Sequence, residues 1–206
     1  MLELRGPVAA VVLAAGASTR MGTPKQLLEL DGRSFVRAVI ELARAAECAP
    51  VVVVRGAVAL PPEALRGVVA RENPNWHKGQ LSSLQVGLAA LADAGVQPSG
   101  VLVLTVDRPH VRPATARLLV RAHERFPKAI LQPEHEGRRG HPILYPAAVI
   151  PALRALPDSN SPRQLLALPA VARMRRGVAV DDPAVLDNID TPEDLARLRA
   201  RDPPER

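Results

Sequence analysis

Apolar residues in this chain fall into short continuous runs, separated by stretches with helical spacing. Val8–Ala15 (VAAVVLAA) is an unbroken apolar run of strand length that stops at Gly16, as a strand buried on both faces of a parallel sheet reads. Pro50–Arg55 (PVVVVR) predicts a second buried strand and Val68–Arg71 a weaker third. Ser34 stands in a capping position, and Phe35, Val39, Leu42 and Ala46 recur at helical spacing after it. Gly79–Ala94 predicts a helix with a stripe of Leu81, Leu84, Leu88 and Leu91. Gly100–Val106 then reads as a strand ending at Asp107, followed by a helix from Pro113 to Phe126 and a short strand, Ala129–Gln132. Further on, strands are expected at His141–Tyr145 and Val178–Val180, and helices at Pro146–Leu156 and Ser161–Leu168. Thr191-Pro192-Glu193-Asp194 is a capping box with Pro at the first helical position, and Leu195 and Leu198 give that helix a buried side. Arg201–Arg206 is expected to fray. The absence of repeats and linkers predicts one domain over residues 1–200.

Strands alternating with helices imply right-handed crossovers and an α/β fold, with a mostly parallel central sheet covered on both faces. Ligands in such folds sit outside the carboxyl ends of the strands. Two loops at that edge carry unusual residues: Gly16–Lys25 after the first strand, and Asp107-Arg108-Pro109 after the strand at 100–106.

Composition narrows the possible partners. The 206 residues include 47% hydrophobic positions, enough for a core of their own. No apolar run reaches the roughly 18 residues of a membrane span. The opening MLELRGPVAAVVLAAGAS leads into a polar glycine-bearing loop rather than a cleavage site. Cys48 is the single cysteine, which excludes an internal disulfide and points to the cytoplasm. The net charge of +6 comes from 24 arginines and only three lysines, spread without one dense tract, and aromatics are 2%. Stacking platforms for nucleic acid are therefore nearly absent, and small anionic molecules fit the charge better.

The first loop reads Leu13-Ala14-Ala15-Gly16-Ala17-Ser18-Thr19-Arg20-Met21-Gly22-Thr23-Pro24-Lys25. It is neither G-x-G-x-x-G nor a Walker A loop, yet it has the parts of a phosphate cradle. Gly16 and Gly22 let backbone N–H groups approach an anion, Ser18 adds a hydroxyl, Arg20 a bidentate fork, and Lys25 a compact charge on an exposed loop. The bland alternative is a basic surface loop with glycines for turning.

These residues resemble the signature of the molybdenum cofactor nucleotidyltransferases, L-A-A-G-x-S-x-R-M-G-x-x-K, continued here by Gln26-Leu27-Leu28 and Asp31-Gly32. The nearer resemblance is to the MocA-like cytidylyltransferase branch. Asn73-Pro74-Asn75-Trp76, with Gly79 and Ser83-Leu84 following, is similar to that branch's N-P-x-W segment. Asp107-Arg108-Pro109 resembles its D-x-P motif, Gly140-His141-Pro142 its G-H-P turn and Asp190-Thr191-Pro192 its terminal D-T-P. The resemblance spans positions 8 to 195. It implies a Rossmann-like three-layer fold of the nucleotide-diphospho-sugar transferase type. Arg108 departs from the pattern, where an uncharged residue is expected; it could touch a phosphate, and the favoured reading is a solvated surface charge.

The implied reaction is transfer of a nucleoside monophosphate, CMP from CTP, to the phosphate of molybdopterin with release of pyrophosphate and Mg²⁺ as cofactor. Resemblance places Leu13, Ala14, Ala15 and Gly16 against base and ribose, with Ser18, Arg20 and Lys25 on the triphosphate and Asn73, Gly79 and Ser83 around the nucleoside. Asp107 is the expected metal ligand and Asp190 a second, unless Asp190 only leads into the helix cap. Arg20, Lys25 and Asp107 are the expected catalytic set; Arg139 and His141 would face the acceptor. Trp76 is expected beneath the loop, and His77, His110, His123 and His135 on the surface. Two other readings stay open. The acceptor could be a different small phosphate, such as a sugar or methylerythritol phosphate. The protein could also be a carrier that hands the cofactor to a molybdenum-dependent oxidoreductase.

Overall fold

The computed structural model describes residues 6–157 and 160–201. The expected opening segment before Gly6 and the tail beyond Arg201 lie outside these residues. A mixed sheet runs through the middle of the molecule. Its strands are β1 (Val8–Ala14), β4 (Val51–Arg55), β5 (Val69–Glu72), β6 (Gly100–Thr105), β7 (Ile130–His135), β9 (Ile143–Pro146) and β10 (Arg175–Ala179), in the spatial order β10-β7-β9-β6-β1-β4-β5. β1 lies between β6 and β4, parallel to both, and β5 and β10 are parallel to their neighbours. β9 alone runs antiparallel within that order, pairing β6 and β7. The parallel α/β expectation holds, with one reversed strand inserted at the centre.

The sheet separates two apolar layers. Ala10, Val12 and Ala14 of β1 face one layer, shared with α1 (Phe35–Ala45), α3 (Pro113–Arg125) and α7 (Pro192–Arg201). Ala9, Val11 and Leu13 face the other, shared with α2 (Gln80–Asp93), α4 (Ile150–Ala155) and α5 (Pro162–Ala167). A strand buried on both faces cannot alternate polar with apolar, which is why β1 reads as one continuous run. The predicted stripe of α2 is the buried one: Leu81, Leu84, Leu88 and Leu91 are at most 3% exposed. Gly87 lets this helix settle on the sheet, because a Cβ there would come within 2.5 Å of the Val11 side chain.

Several elements depart from the sequence pattern. A small hairpin, β2 (Glu29–Leu30) with β3 (Arg33–Ser34), precedes α1, its turn made by Asp31 and Gly32 at positive φ. Ser34 occupies the cap position of α1 but gives no side-chain capping bond. A second two-residue strand, β8 (Arg138–Arg139), folds back on β7. β10 begins at Arg175 rather than Val178, because edge pairing with β7 recruits the polar Arg-Arg-Gly segment into the ladder. A short helix, α6 (Pro169–Ala172), extends the region after α5. The capping box at α7 forms as read. The Asp194 carboxylate accepts from the Thr191 N–H at 2.8 Å, and Thr191 Oγ1 accepts from the Asp194 N–H at 3.2 Å.

Among the described residues no helix is long and apolar enough to cross a membrane. The expectation of surface histidines is corrected at two positions: both ring nitrogens of His110 are buried, and His123 lies in the core. His123 is 3% exposed, with Nε2 3.1 Å from the Ser99 carbonyl oxygen. Its place on the inner face of α3 buries it in the core.

Candidate active site

The carboxyl ends of β1 and β6 open into a pocket of about 290 Å³. Leu13, Ala15, Gly16, Ser18, Arg20 and Lys25 line it from the first loop, Trp76, Gly79, Gln80 and Ser83 from the approach to α2, and Asp107 and Asp190 from the far side. Most of the residues singled out in the sequence thus converge, across more than 170 positions of chain, at the sheet edge where an α/β fold takes its ligand.

The loop owes its shape to a side chain that the sequence reading passed over. Gln26 is fully buried, and its Nε2 donates to the carbonyl oxygens of Ala14 at 2.8 Å and Gly16 at 2.7 Å. A buried amide with two backbone acceptors fixes the path of the chain as it leaves β1. Its position next to Lys25 was the available signal. Ser18, at φ 58°, accepts the Lys25 N–H on its hydroxyl at 3.0 Å. Ser18 therefore shapes the loop from within, besides lining the pocket.

Lys25 is not the exposed loop lysine that the sequence suggested. It is 8% exposed and its ammonium is paired with the Asp190 carboxylate. Arg20, largely in solvent, reaches the same carboxylate at 3.1 Å. Burial pushes the Asp190 pKa up, but the hydrogen bond and charge of Lys25, joined by Arg20, outweigh it and hold the group below the usual range. Asp190 leads into the α7 cap, since its N–H donates to Asp194 at 2.9 Å, and it also faces the pocket.

Asp107 sits at the turn after β6, where its carbonyl oxygen accepts the Ile189 N–H at 2.9 Å. That single bond brings the segments carrying the two carboxylates side by side. Asp107 Oδ1 is buried with no hydrogen-bond donor among the described residues, and the Arg108 Nη1 lies 3.6 Å away. Among the described residues no group of three or more acidic, His or Cys side chains is poised for a metal. Two carboxylates at one pocket are nevertheless what a hard divalent cation takes. The orphaned oxygen of Asp107 fits such an ion.

The nucleoside side divides the predicted residues. Ser83 and Gly79 line the pocket, but Asn73 and Ala14 do not. Asn73 is 1% exposed and its Nδ2 donates to Ser82 Oγ at 2.9 Å and Ser83 Oγ at 3.0 Å. It ties the 73–79 turn to the first residues of α2 from below, so its effect on a ligand passes through Ser83. Ala14 is buried within β1 and acts through its carbonyl alone. Trp76 both packs and faces the ligand space. It lies over Gly56, where a Cβ would come within 2.7 Å of its own, and it lines the pocket.

Arg139 and His141 lie elsewhere, in a second cleft of about 530 Å³ walled also by Arg108, Arg138, Arg163 and Arg175. Burial, with Arg108 and Arg163 nearby, lowers the His141 pKa to about 4, so the imidazole is neutral near pH 7. Arg108 lines the second cleft, beside Asp107 of the first pocket, and the expectation of a surface charge is overturned. Only 11% of its side chain is exposed. Nη1 donates to Thr105 Oγ1 at 3.1 Å and Nη2 to Asn188 Oδ1, while its buried Nε has no acceptor. The turn after β6 directs this side chain inward, which position in sequence alone does not reveal.

The profile of the MobA-like NTP transferase domain matches residues 10–176. The chain belongs to this family. A probable molybdenum cofactor guanylyltransferase of Opitutus terrae is 30% identical over 198 residues, covering 94% of this chain and 96% of that protein. The bifunctional protein GlmU of Pseudarthrobacter chlorophenolicus is 36% identical over 138 residues, but these are 62% of this chain and 27% of GlmU. The chain thus spans about a quarter of the length of the first such relatives it matches. Among solved structures, Rv0371c from Mycobacterium tuberculosis superposes with a TM-score of 0.75 at 30% identity, over 93% of this chain and 97% of that one. The same protein solved in complex with manganese gives 0.74 at 28%, with the same coverage. Like its family, the chain carries a mostly parallel, Rossmann-like sheet.

Proposed function

We propose that the protein transfers CMP from CTP to the phosphate of a molybdopterin-type acceptor, with Mg²⁺ as cofactor. The observation that carries this reading is the meeting of Lys25, Arg20, Asp107 and Asp190 around one pocket at the ends of β1 and β6. In the reaction an acceptor phosphate oxygen bonds to the α-phosphorus, the bond from that phosphorus to the bridging oxygen breaks, and pyrophosphate leaves with the electron pair. A phosphate monoester has its second pKa near 6, so the nucleophile needs no base, and His141, with its pKa lowered by burial, would be a weak one. What the chain must provide is position and compensation of charge. Lys25 and Arg20 would turn from Asp190 toward the triphosphate. Gly16 and Gly79 would offer backbone to it, and Trp76 and Ser83 would border the base and ribose. Asp107 and Asp190 would hold the metal ion, which supplies further neutralisation of the phosphates.

The choice of cytosine rests on Ala15. It is 4% exposed and lines the pocket, so its methyl narrows the space beside the base and disfavours a purine. The O. terrae relative, by its name, transfers a guanylyl group, which makes this the point to test. Pyrophosphate release should be followed with CTP, GTP, UTP and ATP against molybdopterin, a hexose 1-phosphate and methylerythritol phosphate. CTP with molybdopterin should give the highest kcat/KM, and Ala15→Gly should raise the GTP value relative to CTP. Equal or better turnover with GTP in the unaltered chain would overturn the cytidylyl assignment. Preference for either small phosphate would overturn the acceptor.

A further inference from the structure

The second cleft, behind Arg108, differs from the nucleotide pocket in its charge. It is walled by Arg108, Arg138, Arg139, Arg163 and Arg175 with His141, and among the described residues that line it none is acidic. Two of the guanidiniums are partly committed: Arg139 Nε donates to Glu134 at 3.2 Å from the rim and Arg175 Nε to the neutral Gln132 at 2.9 Å. His141 is neutral there and leaves this charge unchanged. One phosphate dianion cannot satisfy such a wall.

Arg108 reaches from this cleft to Asp107 of the first pocket. Its hydrogen bonds go to two uncharged oxygens, of Thr105 and Asn188, and its nearest carboxylate is Asp107 at 3.6 Å, with Asp190 and Asp187 contributing weaker attraction. A guanidinium with little solvent contact needs a nearby anion. Should Asp107 commit its charge elsewhere in the pocket, Arg108 would require a replacement, and the replacement must enter from one of the two cavities. A phosphate at the mouth of the second cleft meets the unfilled N–H bonds of that fork.

We infer that the second cleft selects an acceptor carrying at least one anionic group besides its reacting phosphate, and that Arg108 sets that phosphate in place. Arg108 is thus a specificity-determining residue, in a position where the resemblance led to an uncharged one. The inference rests on the nucleotidyl-transfer reading for its consequence, though not for the binding itself.

The test is calorimetric titration of the full chain with inorganic phosphate and with 3-phosphoglycerate, which carries a phosphate and a carboxylate. Each titration is run with and without a saturating non-hydrolysable CTP analogue and Mg²⁺, which fill the first pocket. With the analogue present, 3-phosphoglycerate should bind at least tenfold more tightly than phosphate. Arg108→Gln should weaken both by tenfold or more, and Arg108→Lys, which keeps the charge but loses the fork, should recover part. Arg163→Gln should cut the advantage of the two-anion probe by at least threefold while leaving phosphate within twofold. In steady-state assays Arg108→Gln should raise the KM for acceptor and leave that for nucleotide within twofold; a purely structural role would move both together. Equal affinity for the two probes, or probe affinities unchanged in Arg108→Gln, would overturn the inference. If Arg108→Gln does not fold, Arg108→Lys and Arg163→Gln decide it. Failure of the analogue to bind, with the two-anion preference intact, would instead sink the transfer reading and leave the cleft assignment standing.

Discussion

Replacing Gln26 by Leu removes two hydrogen-bond donors at nearly constant volume, which makes it a sharp probe of how the phosphate loop is held. In the native chain Gln26 Nε2 serves the Ala14 carbonyl at 2.8 Å and the Gly16 carbonyl at 2.7 Å. Ala14 is fully buried, so its oxygen would be left without that donor and out of reach of water. The cost there is about 1–3 kcal/mol, the penalty for a buried acceptor left unsatisfied. Gly16 is exposed, so its oxygen can take a water and should lose only about 0.5–1 kcal/mol. The sum is about 1.5–4 kcal/mol, and at this chain length each kcal/mol moves the midpoint by roughly 2–4 °C. A fall of roughly 3–16 °C in thermal unfolding is expected. The KM for nucleotide should rise by tenfold or more, because the same carbonyls set the path of the loop. A variant within 1 °C of the parent and with unchanged KM would refute the claim that Gln26 shapes the site.

Three further outcomes follow from the geometry. Lys25→Met should lower turnover by roughly 10²–10³-fold, the usual loss on removing one preorganised donor. It should also lower the unfolding midpoint measurably, since the lysine is buried and paired; an active variant would make Lys25 a structural charge only. Asp107→Asn should abolish most pyrophosphate release, with added Mg²⁺ restoring only part, and EDTA should stop the parent; full activity in EDTA would end the metal assignment. His141 has a folded pKa lowered from 6.5 to about 4, so the unfolded chain binds the extra proton first as pH falls. Its contribution is whole above pH 6.5 and is lost on going down to pH 4, by roughly 3 kcal/mol at most. Urea midpoints from pH 7 to 4 should therefore fall less steeply in His141→Gln, and parallel curves would contradict this.

What could be read from the sequence, and what could not, divides along a physical line. β1, β4 and β6 announce themselves because strands buried on both faces must be apolar throughout, and the α7 cap because its bonds are local. The β2–β3 hairpin carried its own signal in Asp31-Gly32, a dipeptide suited to positive φ, but its strands have only two residues each and show no alternation. β10 is hidden because edge pairing, not burial, makes Arg175–Ala179 a strand. Within the site, the loop and Asp107 could be placed by their order at the sheet edge, and Ser83 through the resemblance of its motif. The burial of Lys25, Gln26 and Arg108 could not, since each depends on a partner from a distant segment: Asp190 for Lys25, the Ala14 carbonyl for Gln26 and Asn188 for Arg108. Asn73 shows the converse. Its motif marked the right neighbourhood, and only the bonds to Ser82 and Ser83 separate a brace from a wall.

The pairing of Lys25 with Asp190 joins residues 165 positions apart, and this sets an order for biosynthesis. A ribosome adding about 5–20 residues per second takes roughly 8–33 s to travel from one to the other. During that interval β1 and its loop have emerged, but the carboxylate that lets the ammonium sit inside the protein has not. The nascent loop must therefore keep Lys25 in water, while Gln26, whose acceptors lie 12 and 10 positions back, can already fix the exit of β1. The loop is complete only when Asp190 comes in ahead of α7. A chain arrested before that point would carry most of the sheet and a loop still open at Lys25.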